Sequence, residues 1–179
     1  TVLYIHGGGF RSGSKNAARS KGLSSAFPAA GINLVSINYR LHGDGPVPSQ
    51  PYLNMIAGSG GASEQGNYEG QTIAALAAFE DTNKALSYLV ANAGRLCIDT
   101  REIFLSGSSA GAVTALNVAY SFDEAGIRRP SIEGVIDLWG GGMPPESIDR
   151  GSVPLFIAHG EKDKTTPFAF AEAYWARAT

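Results

Sequence analysis

The chain has 179 residues, enough for one sizeable core, and its 44% hydrophobic content excludes a disordered or fibrous chain. A net charge of -2 and a pI near 5.9 provide no basic field for nucleic acid. The apolar runs are strand-sized, so no transmembrane helix is expected. The single cysteine, Cys97, excludes an internal disulfide and reads as a small buried apolar residue.

Strands and helices alternate along the chain. Val2 to Ile5 reads as a buried strand already under way at residue 1, which points to an excerpt of a longer protein. Lys15 to Ala30 has helical character and ends at Gly31. Ile32 to Asn38 is a β-rich apolar run. Leu41 to Gly70 is rich in Gly, Pro, Ser and Asn and has little periodicity, so it reads as a lid or a pocket-forming loop. Thr72 to Ala93 is the longest helical segment, with Gly94 as its expected stop. Glu102 to Ser106 is a strand, Ala110 to Tyr120 a helix, Ile132 to Leu138 and Val153 to Ala158 strands. Pro167 to Ala178 is a helix, with Thr165 or Thr166 as its expected cap. Apolar strands separated by helices predict a single α/β domain over residues 1–179, a mostly parallel sheet with helices on both faces. Ligands of such sheets bind outside the carboxyl ends of the strands, where the glycine clusters of this chain lie.

Three motifs at those ends carry chemistry. Gly107-Ser108-Ser109-Ala110-Gly111 fits G-x-S-x-G, with a strand expected before it and a helix after it. In that context the central serine sits on a sharp turn that lifts its Oγ above the sheet, and the helix N-terminus favours developing negative charge. Ser106 and Ser108 lack glycine at both offsets and read as turn residues. His6-Gly7-Gly8-Gly9-Phe10 follows the first strand, and consecutive glycines there can aim backbone N–H groups at an oxyanion, each worth roughly 3 kcal/mol. His159-Gly160-Glu161-Lys162-Asp163 follows the last strand. Its Asp163 could orient a histidine and stabilise the imidazolium, with Glu161 as the competing acid. His159 and Asp163 are four apart, but the intervening Gly160 and the loop context argue against a metal site.

In this order the motifs resemble the α/β-hydrolase fold, specifically its esterases and lipases with an HGGG oxyanion loop. Tyr39-Arg40-Leu41, Phe79-Glu80-Asp81 and Ile98-Asp99 extend the resemblance over most of the chain. It implies Ser109 as nucleophile, Gly8, Gly9 and Ala110 as oxyanion donors and Asp163 as the triad acid. It implies structural roles for His6 and His159, and an acyl pocket lined by Phe10, Trp139 and Met143. It implies no cofactor and no metal, and a small-molecule ester as substrate. The chain reads Gly-Ser-Ser-Ala-Gly where relatives often have an acidic residue before the nucleophile, and Thr166-Pro167 where Val-Pro is frequent.

The family order is Ser, Asp, then His. None of the sixteen residues after Asp163 is histidine. A helix, a loop and a strand would take about 20–26 residues beyond Pro167, placing the base near position ~190. The expectation is therefore an α/β-hydrolase domain incomplete at both ends. His6, His42 and His159 are the visible substitutes for the base. The leading reading is a serine carboxylic-ester hydrolase. The alternatives are a hydrolase-like binding module without catalysis, and a peptidase or acyltransferase on the same scaffold.

Overall fold

The computed structural model describes residues 1–57 and 68–179. Five strands form one sheet: β1 (Val2–Ile5), β2 (Leu34–Ile37), β3 (Phe104–Ser108), β4 (Gly134–Leu138) and β5 (Leu155–Ala158). All pairings are parallel, in the order β2-β1-β3-β4-β5. Parallel strands need both faces covered, which is why β1 is apolar throughout and buried at every position.

The helices are α1 (Ala17–Ser20), α2 (Leu23–Ala29), α3 (Gln50–Ala57), α4 (Tyr68–Ala91), α5 (Ala93–Leu96), α6 (Ala110–Leu116) and α7 (Ala169–Ala178). The chain leaves β1 for β2 on one side, then crosses back over β1 to reach β3 and continues to β4 and β5. Right-handed crossovers then put α1 and α2 on one face and α4 and α6 on the other. Ala112, Ala115 and Leu116 of α6 and Leu86 and Leu89 of α4 join the strands in one buried core.

Several expectations change. The helix expected over 15–30 is two helices, divided at Gly22, whose φ of 72° lies in the left-handed region. The segment 41–70 is not structureless where it is described. A 3-10 turn spans His42–Asp44, α3 follows, and α4 begins at Tyr68 instead of Thr72. Part of the expected lid or pocket loop, residues 58–67, lies outside the described residues. Packing explains α3 better than periodicity does: its Tyr52 is buried, meets Phe122 edge-on at 5.7 Å and accepts a hydrogen bond from Asn83 Nδ2 on α4 at 2.9 Å.

Gly94 does not end the long helix. That helix stops at Ala91, and α5 carries the chain through Gly94 to Cys97. Cys97 is exposed with a φ of 53°, so the expected burial of its thiol is corrected. The helix expected over Ala110–Tyr120 is α6 followed by a π turn over Asn117–Ser121. At α7, the Thr165 and Thr166 amides donate to Asp163, and neither threonine caps the helix, whose first residue is Ala169.

Candidate functional site

The connection from β1 runs one way along the sheet and the connection from β3 the other, so the crevice between their carboxyl ends is the topological switch point. The chain places His6-Gly7-Gly8-Gly9 at the end of β1 and Ser109 at the end of β3. The two loops touch: a β-carbon on Gly7 would lie 3.3 Å from Ser109 Cβ and 2.7 Å from the Ser108 carbonyl.

Ser109 has φ 53° and ψ −123°, a conformation that costs a non-glycine residue about 1–3 kcal/mol. The turn is held on both sides. The Ser109 amide donates to the Leu138 carbonyl at 2.9 Å, and the Ser109 carbonyl accepts from the Val113 amide at 2.9 Å. The glycines two positions away allow it. A β-carbon on Gly107 would run into the Gly111 carbonyl, and one on Gly111 into the Ile5 carbonyl. Strand, turn and helix thus approach more closely than side chains permit. Ser109 is half-buried, and its hydroxyl has no hydrogen-bond partner among the described residues. Its neighbour Ser108 is buried and bonded to Tyr4 OH at 3.1 Å.

The loop after β1 is braced from three directions. Gly8 and Gly9 have φ of 120° and 61°. His6 is buried, donates from Nδ1 to the Gly7 carbonyl at 2.7 Å, and stacks on Tyr39 with centroids 4.2 Å apart. Burial lowers the pKa of His6, which keeps its ring neutral. Tyr39 OH donates to the His6 carbonyl at 2.9 Å. Next to it, Arg40 reaches α4: its Nη2 is 2.8 Å from Glu80 Oε2 and its Nε 3.0 Å from Asp81 Oδ1. Lys84 adds a contact to Glu80 Oε1 at 2.9 Å. Burial pushes the Glu80 carboxyl up, but its hydrogen bonds from Lys84, Arg40 and Ser49 outweigh that and bring it down to about 2. Gln71 Nε2 donates to the Gly9 carbonyl at 3.0 Å. With the Gly9 carbonyl and the two Gly8-directed amides of Arg11 and Ser12 engaged, the Gly8, Gly9 and Ala110 amides remain without an acceptor among the described residues.

Asp163 lies in the loop after β5, its Oδ1 accepting from the Thr165 and Thr166 amides at 2.7 and 3.0 Å. The Thr166 and Thr165 amides hold its carboxyl below the usual carboxylate range. His159 is turned inward. Its Nε2 donates to the Thr166 carbonyl at 2.8 Å and lies 3.9 Å from Asp163 Oδ2. His42 is exposed on the 3-10 turn. Thus, among the described residues, none of the three histidines hydrogen-bonds the Ser109 hydroxyl. Glu161, the competing acid, is exposed and makes no hydrogen bond or ion pair among the described residues.

A cavity of about 830 Å³ opens beside these loops, walled by Phe10, Met55, Phe79 and Val113, with Asn117 and Ser121 further along. Val113 lies on α6, and Asn117 and Ser121 on the π turn that continues it, so the cavity runs beside the helix that follows Ser109. Phe10 is on the wall, as are Gly142 and Pro144 on either side of Met143, whereas the Met143 and Trp139 side chains make other contacts. Met143 is buried, bonded through its backbone to Tyr174 OH at 3.0 Å, and Trp139 carries Lys21 Nζ 4.9 Å from its ring centre. Sequence reasoning did not find Gln71, which no local pattern marks. It also passed over Asp137, although one acid within the apolar run Ile136-Asp137-Leu138 was a visible signal. Asp137 is fully buried, and burial pushes its carboxyl up to about 6. Among the described residues no cluster of His, Cys, Asp and Glu could hold a metal ion, and no helix is long and apolar enough to cross a membrane.

Known proteins resemble this arrangement. The BD-FAE family profile matches residues 64–141, a little under half of the chain. No curated protein sequence matches. Among solved structures, a lipase/esterase from Lactobacillus plantarum is similar with a TM-score of 0.68 and 16% identity, over 98% of this chain and 70% of that one. A truncated carbohydrate esterase from gut microbiota gives a TM-score of 0.67 and 16% identity, over 98% of this chain and 71% of that one. An arylesterase gives a TM-score of 0.53 and 18% identity, over 84% of this chain but only 38% of its own length. At such identities the likeness establishes architecture: the protein has the α/β-hydrolase fold, with its five parallel strands and flanking helices.

Proposed function

We propose that the protein is a serine esterase that cleaves carboxylic esters through an acyl-enzyme on Ser109. The observation that carries this reading is the Ser109 turn: a strained serine at the switch point, its hydroxyl unbonded among the described residues, with the glycine loop packed against it at Gly7. The names of the similar structures, esterases of several kinds, support ester chemistry on this scaffold.

In this mechanism Ser109 Oγ attacks the ester carbonyl carbon and gives its proton to a histidine. The carbonyl oxygen becomes an oxyanion held by the three amides. Fixed donors of this kind stabilise the charge without reorganising during the reaction. Collapse breaks the ester C–O bond, and the alkoxide leaves with the proton from the imidazolium. Water then repeats the sequence and frees the acid and Ser109. Asp163 orients the histidine and stabilises its charged form. His6 and His159 each bond a backbone carbonyl through the ring and His42 is exposed, so the reading takes its base from none of the three. The cavity beside α6 receives one arm of the substrate, with Phe10 on its wall.

Treatment of the protein with a fluorophosphonate, followed by mass spectrometry and adduct mapping, tests the reading. A single adduct on Ser109 that is absent from Ser109→Ala supports it. No adduct on Ser109 in the folded protein moves the assignment to a binding module that keeps the hydrolase architecture.

A further inference from the structure

Two buried polar atoms behind the Asp163 loop have no partner among the described residues: Asp137 Oδ2 and His159 Nδ1. Both side chains are removed from solvent; Asp137 is 0% exposed and the His159 side chain 1%. Leaving such atoms unpaired is costly, so a folded chain normally satisfies them.

The sheet brings the two side chains together. Asp137 on β4 pairs with Ile157 on β5, and His159 follows Ile157 by two residues. The Trp139 amide donates to the Ala158 carbonyl at 2.9 Å, so the ladder runs to the end of β5, and His159, the next residue, follows on the face shared by Asp137 and Ile157. The other atoms of both groups are committed. Asp137 Oδ1 accepts from the Gly140 amide at 2.7 Å, and His159 Nε2 donates to the Thr166 carbonyl at 2.8 Å. Because a carbonyl only accepts, Nε2 carries a proton, and in the neutral ring Nδ1 presents a lone pair. Both loose ends are then acceptors beyond direct bonding distance. A single water has two O–H groups and matches two such acceptors.

We propose that Asp137 is a positioning residue for Asp163, acting through a buried water that joins Asp137 Oδ2 to His159 Nδ1. The water donates one O–H to each atom and fixes the imidazole plane. The fixed ring holds the Thr166 carbonyl through Nε2–H, and the Thr166 amide holds Asp163 Oδ1. The orientation of the triad acid is thereby tied to a side chain one strand away. The other titratable groups that face this pair are Tyr120 from the π turn, Tyr174 from α7 and Asp163 itself. Both tyrosines are pushed up by burial and stay neutral, so Asp137 and Asp163 are the anions near the ring.

The inference rests on the esterase reading for its effect on turnover, but not for its spectroscopic test. That test is the ¹⁵N resonance of His159 Nδ1 at about pH 8, where free imidazole is neutral. In the unaltered protein it is expected at the position of a hydrogen-bonded acceptor, and in Asp137→Ala it moves toward that of a free lone pair. A crystal structure that resolves waters should show one within hydrogen-bond distance of both atoms. With an ester substrate, Asp137→Ala should lower kcat by about ten- to a hundredfold with KM little changed, the scale of a misplaced orienting group. Asp137→Asn keeps the side-chain volume and a polar end, so it should fall between the two and serve if the alanine variant does not fold. An unmoved Nδ1 resonance in the variants, or no water between the two atoms, overturns the proposal. A moved resonance in a protein that does not label at Ser109 keeps the water link and rejects the esterase.

Discussion

The α-carbon of Gly111 packs against the Ile5 carbonyl, so that helix α6 rests on the last peptide of β1 with no side chain between them. Gly107 makes the matching approach to the Gly111 carbonyl. An added methyl at either position must push backbone, not a flexible side chain. Gly107→Ala and Gly111→Ala are therefore expected to cost about 1–3 kcal/mol each, the range for overpacking a filled core. Both should also slow labelling of Ser109. Gly94→Ala is the control, because α5 has open space there and an ordinary helical φ; it should gain up to ~1 kcal/mol. Urea midpoints of the three variants check the contrast, and equal midpoints would remove the close-approach argument.

The backbone of Ser109 gives a second expectation. Its φ of 53° and ψ of −123° suit glycine, yet a hydroxyl is kept there. Ser109→Gly should relieve strain of about 1–3 kcal/mol and lose part of that to the greater freedom of the unfolded chain, for a net gain of about 1 kcal/mol. The same variant should take up no fluorophosphonate. A Ser109→Gly protein that melts below the unaltered protein would show that the turn is unstrained in solution.

These two features were the most legible in the sequence, and for one reason. The turn at Gly107–Gly111 is local: its glycines, its serine and the strand and helix around it lie within a dozen residues, so spacing carried the geometry. The same holds for the glycines after β1. What the sequence left unread depends on distant partners. Helix α3 has little periodicity of its own and is held by Tyr52 against Phe122 and Asn83, some 31 or more positions away. The inward turn of His159 depends on Thr166, and the burial of Asp137 on strands to either side. Cys97 was misread because composition cannot show that a residue ends a short helix with a positive φ. Arg40 shows the intermediate case: the segments Tyr39-Arg40-Leu41 and Phe79-Glu80-Asp81 stood out in the sequence, but only the structure joins them into a bridge that braces the glycine loop.

That bridge sets an acid dependence. The Glu80 carboxyl is held at about 2 in the folded protein, down from its ordinary value of 4.5. A depressed value means that the folded state binds fewer protons, so this contribution is complete above the unfolded value. It is lost as pH falls from about 4.5 toward 2. Glu80→Gln should destabilise the protein at neutral pH by about 1–2 kcal/mol, because the charge-assisted bonds from Arg40 and Lys84 weaken while Arg40 keeps Asp81. The difference between the two proteins should shrink below about pH 4. Thermal unfolding across pH checks the sign; a gap that widens on acidification would refute the assignment.

Asp163 supplies the last expectation, and it separates the acid from its neighbours. Its carboxylate is fixed through Oδ1 by two backbone amides, leaving Oδ2, 3.9 Å from His159 Nε2, as the oxygen that the esterase reading gives to the base. Asparagine keeps that loop geometry if its side-chain oxygen takes the place of Oδ1, and it then presents an N–H where the base needs an acceptor. Asp163→Asn should thus fold normally and lower kcat by about 10⁴-fold, the scale known for a triad acid turned into its amide. Because the loop persists, Ser109 should still take up fluorophosphonate, but far more slowly. Glu161→Gln, altering an exposed side chain in the same loop, should change neither rate by more than about twofold. Initial rates on an activated ester, measured beside labelling rates for the two variants, decide between the acids: an unimpaired Asp163→Asn with an impaired Glu161→Gln would transfer the role to Glu161.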